Sequence, residues 1–176
     1  NNNIYYGRVC FLQEPVDEWN EIRDSTGATI LERYYEDQKT HAFAFQMMAF
    51  ITRLNKITQA IREEYDVIIM ERSLQTDRLV FAQMLKDEDK ITDIEFAIYT
   101  KWFDSFLHEI PTQYVVYLQT NPSVALERVN RRGRVGEDIP LEYLMKCHKY
   151  HEAWRDESTL TWITIDANHD INDRTD

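Results

Sequence analysis

Apolar residues fall into two patterns along this chain. Short unbroken runs occur at Val9 to Gln13, Val67 to Met70, Tyr114 to Leu118 and Trp162 to Ile165. Runs of this length and β-branched content predict strands, and the one from Val67 to Met70 reads as a strand buried on both faces. Longer stretches repeat at intervals of three and four. From about Thr40 to Glu64, Phe43, Met47, Phe50, Leu54, Ile57 and Ile61 make one apolar stripe, which predicts a long amphipathic helix. Shorter helices are predicted over Ile30 to Tyr35, Thr76 to Leu85, Ile91 to Leu107 and Leu141 to Arg155, with another opened by Asn121-Pro122. Ser25-Thr26-Gly27 reads as a turn, Asp17 to Asn20 as a short polar segment around Trp19, and Lys86 to Lys90 as a charged connection. Strands alternating with helices imply parallel βαβ connections and a doubly wound α/β sheet with helices on both faces, one domain over residues 1–176. Four strands are visible, one fewer than a complete nucleotide-binding sheet of this kind.

Charged residues mark the strand ends. The first strand runs into Glu14-Pro15, and Pro15 cannot continue a central strand. The second stops at Glu71-Arg72, where Ser73 can cap the next helix. Carboxyl ends of buried strands, facing helix starts, are where open α/β sheets bind ligands; a salt bridge closing a strand–helix turn is the plainer alternative for Glu71 and Arg72. Gln46 and Arg53 lie seven apart at the edge of the long stripe, either as a polar pair facing a ligand or as ordinary boundary residues. Asp77 and Phe81 share a face four apart. Phe96, Tyr99, Trp102, Phe103 and Phe106 make the following helix aromatic, which suits core packing or a helix–helix interface.

Composition changes the picture in three ways. The formal net charge of −11 disfavours a nucleic-acid surface. Against that background, Arg128, Arg131, Arg132 and Arg134 fall within seven residues, bracketed by Gly133 and Gly136 in a segment able to move as a lid. Arginine suits bidentate phosphate binding, so an anion site competes here with a solvated helix terminus. The two cysteines, Cys10 and Cys147, form neither a disulfide framework nor a metal-ligand spacing, and a reducing, intracellular compartment is expected, with cytoplasm and mitochondrion not separated. No apolar run approaches the ~20 residues of a membrane span.

Taken together and in this order, Glu14-Pro15 with Trp19, Tyr35 with Gln46 and Arg53, Glu71-Arg72-Ser73 with Asp77-Arg78, Arg132-Gly133-Arg134 and Ile139-Pro140-Leu141-Glu142-Tyr143-Leu144 resemble the deoxyribonucleoside kinases, in particular the deoxycytidine and deoxyguanosine kinase branch. The resemblance implies a P-loop kinase fold, ATP-dependent 5′-phosphorylation of a deoxynucleoside in nucleotide salvage, Mg²⁺ and a homodimer. It implies that Glu14 is the general base for the sugar 5′-hydroxyl, with Arg72 holding that region and the transferring phosphate, and Glu71 a carboxylate near the metal. Catalysis by a carboxylate near but not paired with an arginine fits that role. Gln46, Arg53 and Asp77 would read the base, with Trp19, Phe45 and Phe81 packed around it, and Tyr35 and Glu137 would bind the 3′-hydroxyl. Arg132 and Arg134 would clamp phosphates, while Arg128 and the loop from Asn168 to Ile171 would meet adenine. The Arg53–Asp77 pair resembles enzymes taking deoxycytidine or purine deoxynucleosides rather than thymidine. A phosphate loop of the form G-x-x-x-x-G-K-[ST] does not occur, and the chain opens on Asn1-Asn2-Asn3 without Met, so the first strand and that loop are expected upstream of Asn1. A kinase-fold subunit without catalysis, serving structure or assembly, is the alternative reading.

Overall fold

The structure is a computed structural model that describes residues 7–108, 110–111, 113–133 and 139–169. Its contacts divide the chain into two compact units, Asn1–Ile110 and Pro111–Asp176.

In the first unit, β1 (Val9–Leu12) lies parallel to β2 (Val67–Met70), with Val9 opposite Val67 and Leu12 opposite Met70. Between them run α1 (Val16–Glu21), α2 (Ile30–Glu36) and α3 (Gln38–Arg62). Of the expected apolar stripe of α3, Phe50 and Ile57 are buried and Phe43, Met47, Leu54 and Ile61 partly buried, packed with Leu74, Tyr99 and Phe103 into a cluster that also covers Leu12 and Met70. Ala42, Phe45 and Ala49, on the adjoining face, join a second cluster with Trp19 and Tyr34. The opposite face of the strand pair is different. Val9, Phe11, Val67 and Ile69 are exposed there, Phe11 at 72%. Burial of Val67–Met70 on both faces is therefore not what the structure shows: the helices of this unit cover one face, so the side chains alternate. The expected strand–helix alternation and parallel pairing are present, in a small sheet.

Local chemistry sets the helix starts. The short polar segment Asp17–Asn20 lies within α1, with Trp19 on its buried side. Thr29 and Glu32 close a reciprocal capping box at α2, and Thr92 with Glu95 close another at α6 (Asp93–Leu107). Ile91 precedes that cap and is buried in the same cluster that Phe96 packs against, so α6 begins two residues later than its apolar pattern suggests. After β2 the chain enters α4 (Leu74–Thr76), passes through a π-helical turn at Asp77–Ala82, and continues as α5 (Gln83–Asp87). The backbone N–H of Gln83 reaches back to the carbonyl of Arg78, the five-residue spacing that defines a π turn. On α6, Tyr99 and Phe103 face the core, whereas Ile94, Ile98 and Trp102 form an exposed stripe at four-residue intervals.

In the second unit, β3 (Tyr114–Gln119) pairs parallel with β4 (Thr161–Asp166) over six residues. The connection consists of α7 (Pro122–Arg132) and α8 (Leu141–Glu157). Pro122 sits in the first turn of α7, and Gly133 ends that helix at φ 60°, a left-handed cap that glycine adopts without strain. Trp154 of α8 meets Trp162 of β4 edge-on at 4.7 Å, and the His151 ring stacks on Tyr117 at 5.9 Å. Tyr114, Val116 and Leu118 are exposed, so this strand too is covered on one face only. Among the described residues, no helix is long and apolar enough to cross a membrane.

Candidate active site

The side chains that matter in the first unit come from four places: the turn after β1, the middle of α3, the end of β2, and the π turn. Arg53 projects from the buried side of α3 and is only 2% exposed. A guanidinium cannot lose its proton to suit a dry environment, so it has to be paired. Its Nη1 donates to Asp77 Oδ2 at 2.7 Å, and its Nη2 donates to Glu14 Oε1 at 3.0 Å. Glu14 Oε1 also accepts from Arg72 Nη1 at 2.9 Å. Four charges, two of each sign, thus form one chain: Asp77, Arg53, Glu14, Arg72. Arg53 is too deeply buried for an ordinary boundary residue, and its partners are Asp77 and Glu14 rather than Gln46.

Two expectations need correction. Glu14 is paired with arginine, and with two of them, because its Oε1 sits where the α3 guanidinium and the β2-end guanidinium converge. Its other oxygen, Oε2, accepts no hydrogen bond among the described residues, and the side chain remains 16% exposed. The Glu71–Arg72 salt bridge does not form either. Arg72 adopts φ 62°, in the left-handed region that costs a non-glycine residue about 1 kcal/mol or more. That conformation sends its guanidinium to Glu14, over the Phe81 ring at 4.6 Å. Glu71 is exposed, and its carboxylate accepts no hydrogen bond among the described residues.

Asp77 is the first residue of the π turn and is buried. Burial pushes its carboxyl up to about 6, against the pull of the Arg53 and Arg72 charges. Ser73, as anticipated, caps the helix that delivers it: Ser73 Oγ accepts from the Thr76 N–H at 3.1 Å.

Among the described residues, Gln46 Oε1 and Arg53 Nε are buried on α3 without a hydrogen-bond partner, as are Gln75 Oε1, the Tyr99 and Thr100 hydroxyls and, in the second unit, Trp162 Nε1. A buried polar atom left unsatisfied costs about 1–3 kcal/mol, so the two on α3 beside the charge chain are open to a ligand that would complete them. Two open grooves in this unit, of about 700 Å³ along α6 and about 460 Å³ beside β1 and α3, are lined by none of the cluster residues.

The aromatic wall is built by Trp19, Phe45 and Tyr34. Trp19 meets Phe45 edge-on at 5.2 Å and donates from its indole to Thr52 Oγ1 at 3.0 Å. Phe45 stacks on Tyr34 at 4.6 Å. Tyr34, Thr52 and Gln75 carry no individual motif in the sequence, and Tyr99 reads there only as one of the core aromatics of its helix; the Ser/Thr-x-x-Glu signature at Thr29 and Thr92 is a local signal that would have marked both helix starts. Tyr35, on α2, is 65% exposed with its ring 5.6 Å from that of Tyr34.

The arginine-rich segment belongs to the second unit. Arg128 Nη2 donates to the carbonyls of Asn168 at 3.4 Å and His169 at 3.1 Å, tying α7 to the loop after β4. Arg132 is exposed at the end of α7. Arg134, Gly136 and Glu137, and the end of the Asn168 to Ile171 loop, lie outside the described residues. Among the described residues, no group of three or more His, Cys, Asp or Glu side chains gathers to hold a metal.

A family model described as deoxynucleoside kinase matches residues 4–176. Deoxycytidine kinase of Bos taurus is 32% identical, across 96% of this chain and 74% of that protein. Deoxycytidine kinase 2 of Gallus gallus is 36% identical, across 86% of this chain and 62% of its own length. Mitochondrial thymidine kinase 2 of Homo sapiens is 31% identical, across 92% and 62% respectively.

The buried pairing makes a stability prediction. Arg53→Met alone should cost about 3–5 kcal/mol, because it strands Asp77 as a buried charge. Adding Asp77→Ala removes that charge, so urea unfolding should place the double variant at least about 1 kcal/mol above the sum of the singles. Simple additivity would show that the two side chains are not energetically paired.

Proposed function

Because the chain belongs to the deoxynucleoside kinase family, we propose that the four-charge chain around Glu14 is where its phosphoryl acceptor is activated. The chain is a phosphotransferase acting on a deoxynucleoside in salvage, with a nucleoside triphosphate as donor; we take that donor to be ATP. The observation that carries the catalytic assignment is the asymmetry of Glu14. Oε1 is fixed by two guanidinium groups, and Oε2 is left to accept a proton. In the reaction, the sugar 5′-oxygen forms a bond to the γ-phosphorus, the bond from that phosphorus to the β,γ-bridging oxygen breaks, and the hydroxyl proton passes to Glu14 Oε2. Arg72, held over Phe81, carries its positive charge beside that point. Glu71 is an oxygen donor of the kind Mg²⁺ uses, exposed at the same strand end, and we assign it to the metal's vicinity. When bound, Mg²⁺ neutralises charge on the transferring phosphate.

Base recognition follows from the unsatisfied atoms. Gln46 offers one acceptor and a pair of donors from a buried amide, which matches a nucleobase edge. Asp77 can only accept while ionised and is engaged by Arg53 through one oxygen, so a base presenting an amino group suits it. This favours deoxycytidine or a purine deoxynucleoside over thymidine. Trp19, Phe45 and Phe81 supply flat apolar surface for the base, and Tyr35, with Glu137, is assigned to the 3′-hydroxyl. Arg128, Arg132 and Arg134 are assigned to ATP, its phosphates suiting the paired donors of arginine. The match of one family model across both units supports reading them as one kinase domain.

Glu14→Gln keeps the shape and one hydrogen-bond acceptor but no longer takes a proton. It should lower kcat by roughly 10²-fold or more with nucleoside affinity nearly intact, measured by steady-state kinetics and by fluorescence titration. An unchanged kcat would remove Glu14 from the mechanism.

The exposed stripe Ile94, Ile98 and Trp102 on α6 supports the homodimer the family leads us to propose. Sedimentation should give twice the chain mass for the wild type and a single chain for Trp102→Glu. A monomeric wild type at micromolar concentration contradicts it.

A further inference from the structure

We infer that Arg53 is a positioning residue that ties recognition of the base to placement of the general base, through the two terminal nitrogens of one guanidinium. This deepens the kinase reading above and rests on it.

The two terminal nitrogens of a guanidinium lie in one rigid plane, so neither can move without the other. In this protein they serve different tasks. Nη1 holds Asp77, on the base-reading side, at 2.7 Å, and Nη2 holds Glu14, the proton acceptor, at 3.0 Å. Arg53 has no freedom to satisfy one partner at the expense of the other by swinging into solvent, because it is buried on α3 among Phe50 and Ile57. Asp77 is equally confined, at the head of the π turn. A base that bonds Asp77 therefore sets the guanidinium plane, and that plane sets where Glu14 Oε1 lies. Arg72 adds the second bond to the same oxygen and leaves Glu14 a rotation about Oε1, which the Arg53 bond then restricts. Gln46 shows the contrast. It is buried on the same helix, seven residues earlier, but makes no hydrogen bond to Glu14, Arg53 or Asp77 among the described residues. Two base-reading groups thus stand in one site, and one of them alone is wired to the catalyst. The physical consequence is that a base failing to engage Asp77 loses turnover as well as affinity, which is how binding energy remote from the reacting atoms raises kcat.

The test is a double-mutant cycle in kcat on the full-length protein, at saturating deoxynucleoside and MgATP. Asp77→Asn should lower kcat by about tenfold in the wild-type background but by less than about twofold in the Glu14→Gln background, because a residue acting through Glu14 has nothing left to position. A tenfold loss in both backgrounds, or a change confined to KM, overturns the coupling. Arg53→Lys is the second variant. It keeps the charge but lacks the planar fork, and should reproduce the kcat loss while nucleoside still binds; wild-type kcat in this variant also overturns the coupling. Nucleoside affinity, read from quenching of tryptophan fluorescence, confirms that each variant is folded and binds. A full-length wild-type protein that transfers no phosphate defeats the kinase reading itself, whereas an active wild type with an additive cycle defeats the coupling alone.

Discussion

One buried guanidinium organises the first unit. Arg53 is charged and almost wholly removed from water, and such a group is tolerated only when other charges are brought to it. Asp77 and Glu14 lie 24 residues after it and 39 before it along the chain, and they arrive from different strand ends. The parallel pairing of β1 with β2 sets the two strand ends side by side, and the apolar stripe of α3 holds Arg53 against them. The hydrophobic core and the charge chain are thus mutually dependent. Without the stripe, Arg53 would be solvated; without the carboxylates, the stripe could not bury it.

The delivery of Asp77 shows the same economy of means. Arg72 turns left-handed, which directs its guanidinium to Glu14. Ser73 caps the next turn immediately. The helix then widens for six residues, beginning at Asp77 and including Phe81. Both of those side chains touch an arginine of the cluster, Asp77 by hydrogen bond and Phe81 by its ring face. The left-handed Arg72 and the π turn thus fall together beside the charge chain, while α3 and α6 remain regular.

Much of this was legible beforehand, for reasons that lie in periodicity. The α3 stripe, the four apolar strand runs, the Ser73 cap and the Asn121-Pro122 start are local signals, and each element is present, within about two residues of its expected ends. The residues Glu14, Gln46, Arg53, Arg72 and Asp77 were recognisable as a set because their order along the chain resembles one family. What was not legible depends on three dimensions. No single residue announces a π turn, since it follows from how Leu74 to Asp87 fits its neighbours. The double pairing of Glu14 could not be read from a sequence in which its arginines lie 39 and 58 residues away. The alternating exposure of Val67 to Met70 likewise reflects which face the helices cover, and an apolar run by itself cannot say. Tyr34, stacked on Phe45, was hidden by its neighbour Tyr35, which carries the family motif.

The most direct test of this account is phosphate transfer by the full-length protein, with deoxycytidine, deoxyadenosine, deoxyguanosine and thymidine competing for MgATP and the monophosphates resolved by chromatography. The charge chain and the unsatisfied Gln46 predict 5′-monophosphate formation, with deoxycytidine or a purine deoxynucleoside ahead of thymidine by at least about tenfold. Equal or preferential use of thymidine would contradict the role given to Arg53 and Asp77. Absence of transfer to all four would contradict the placement of the reacting hydroxyl at Glu14.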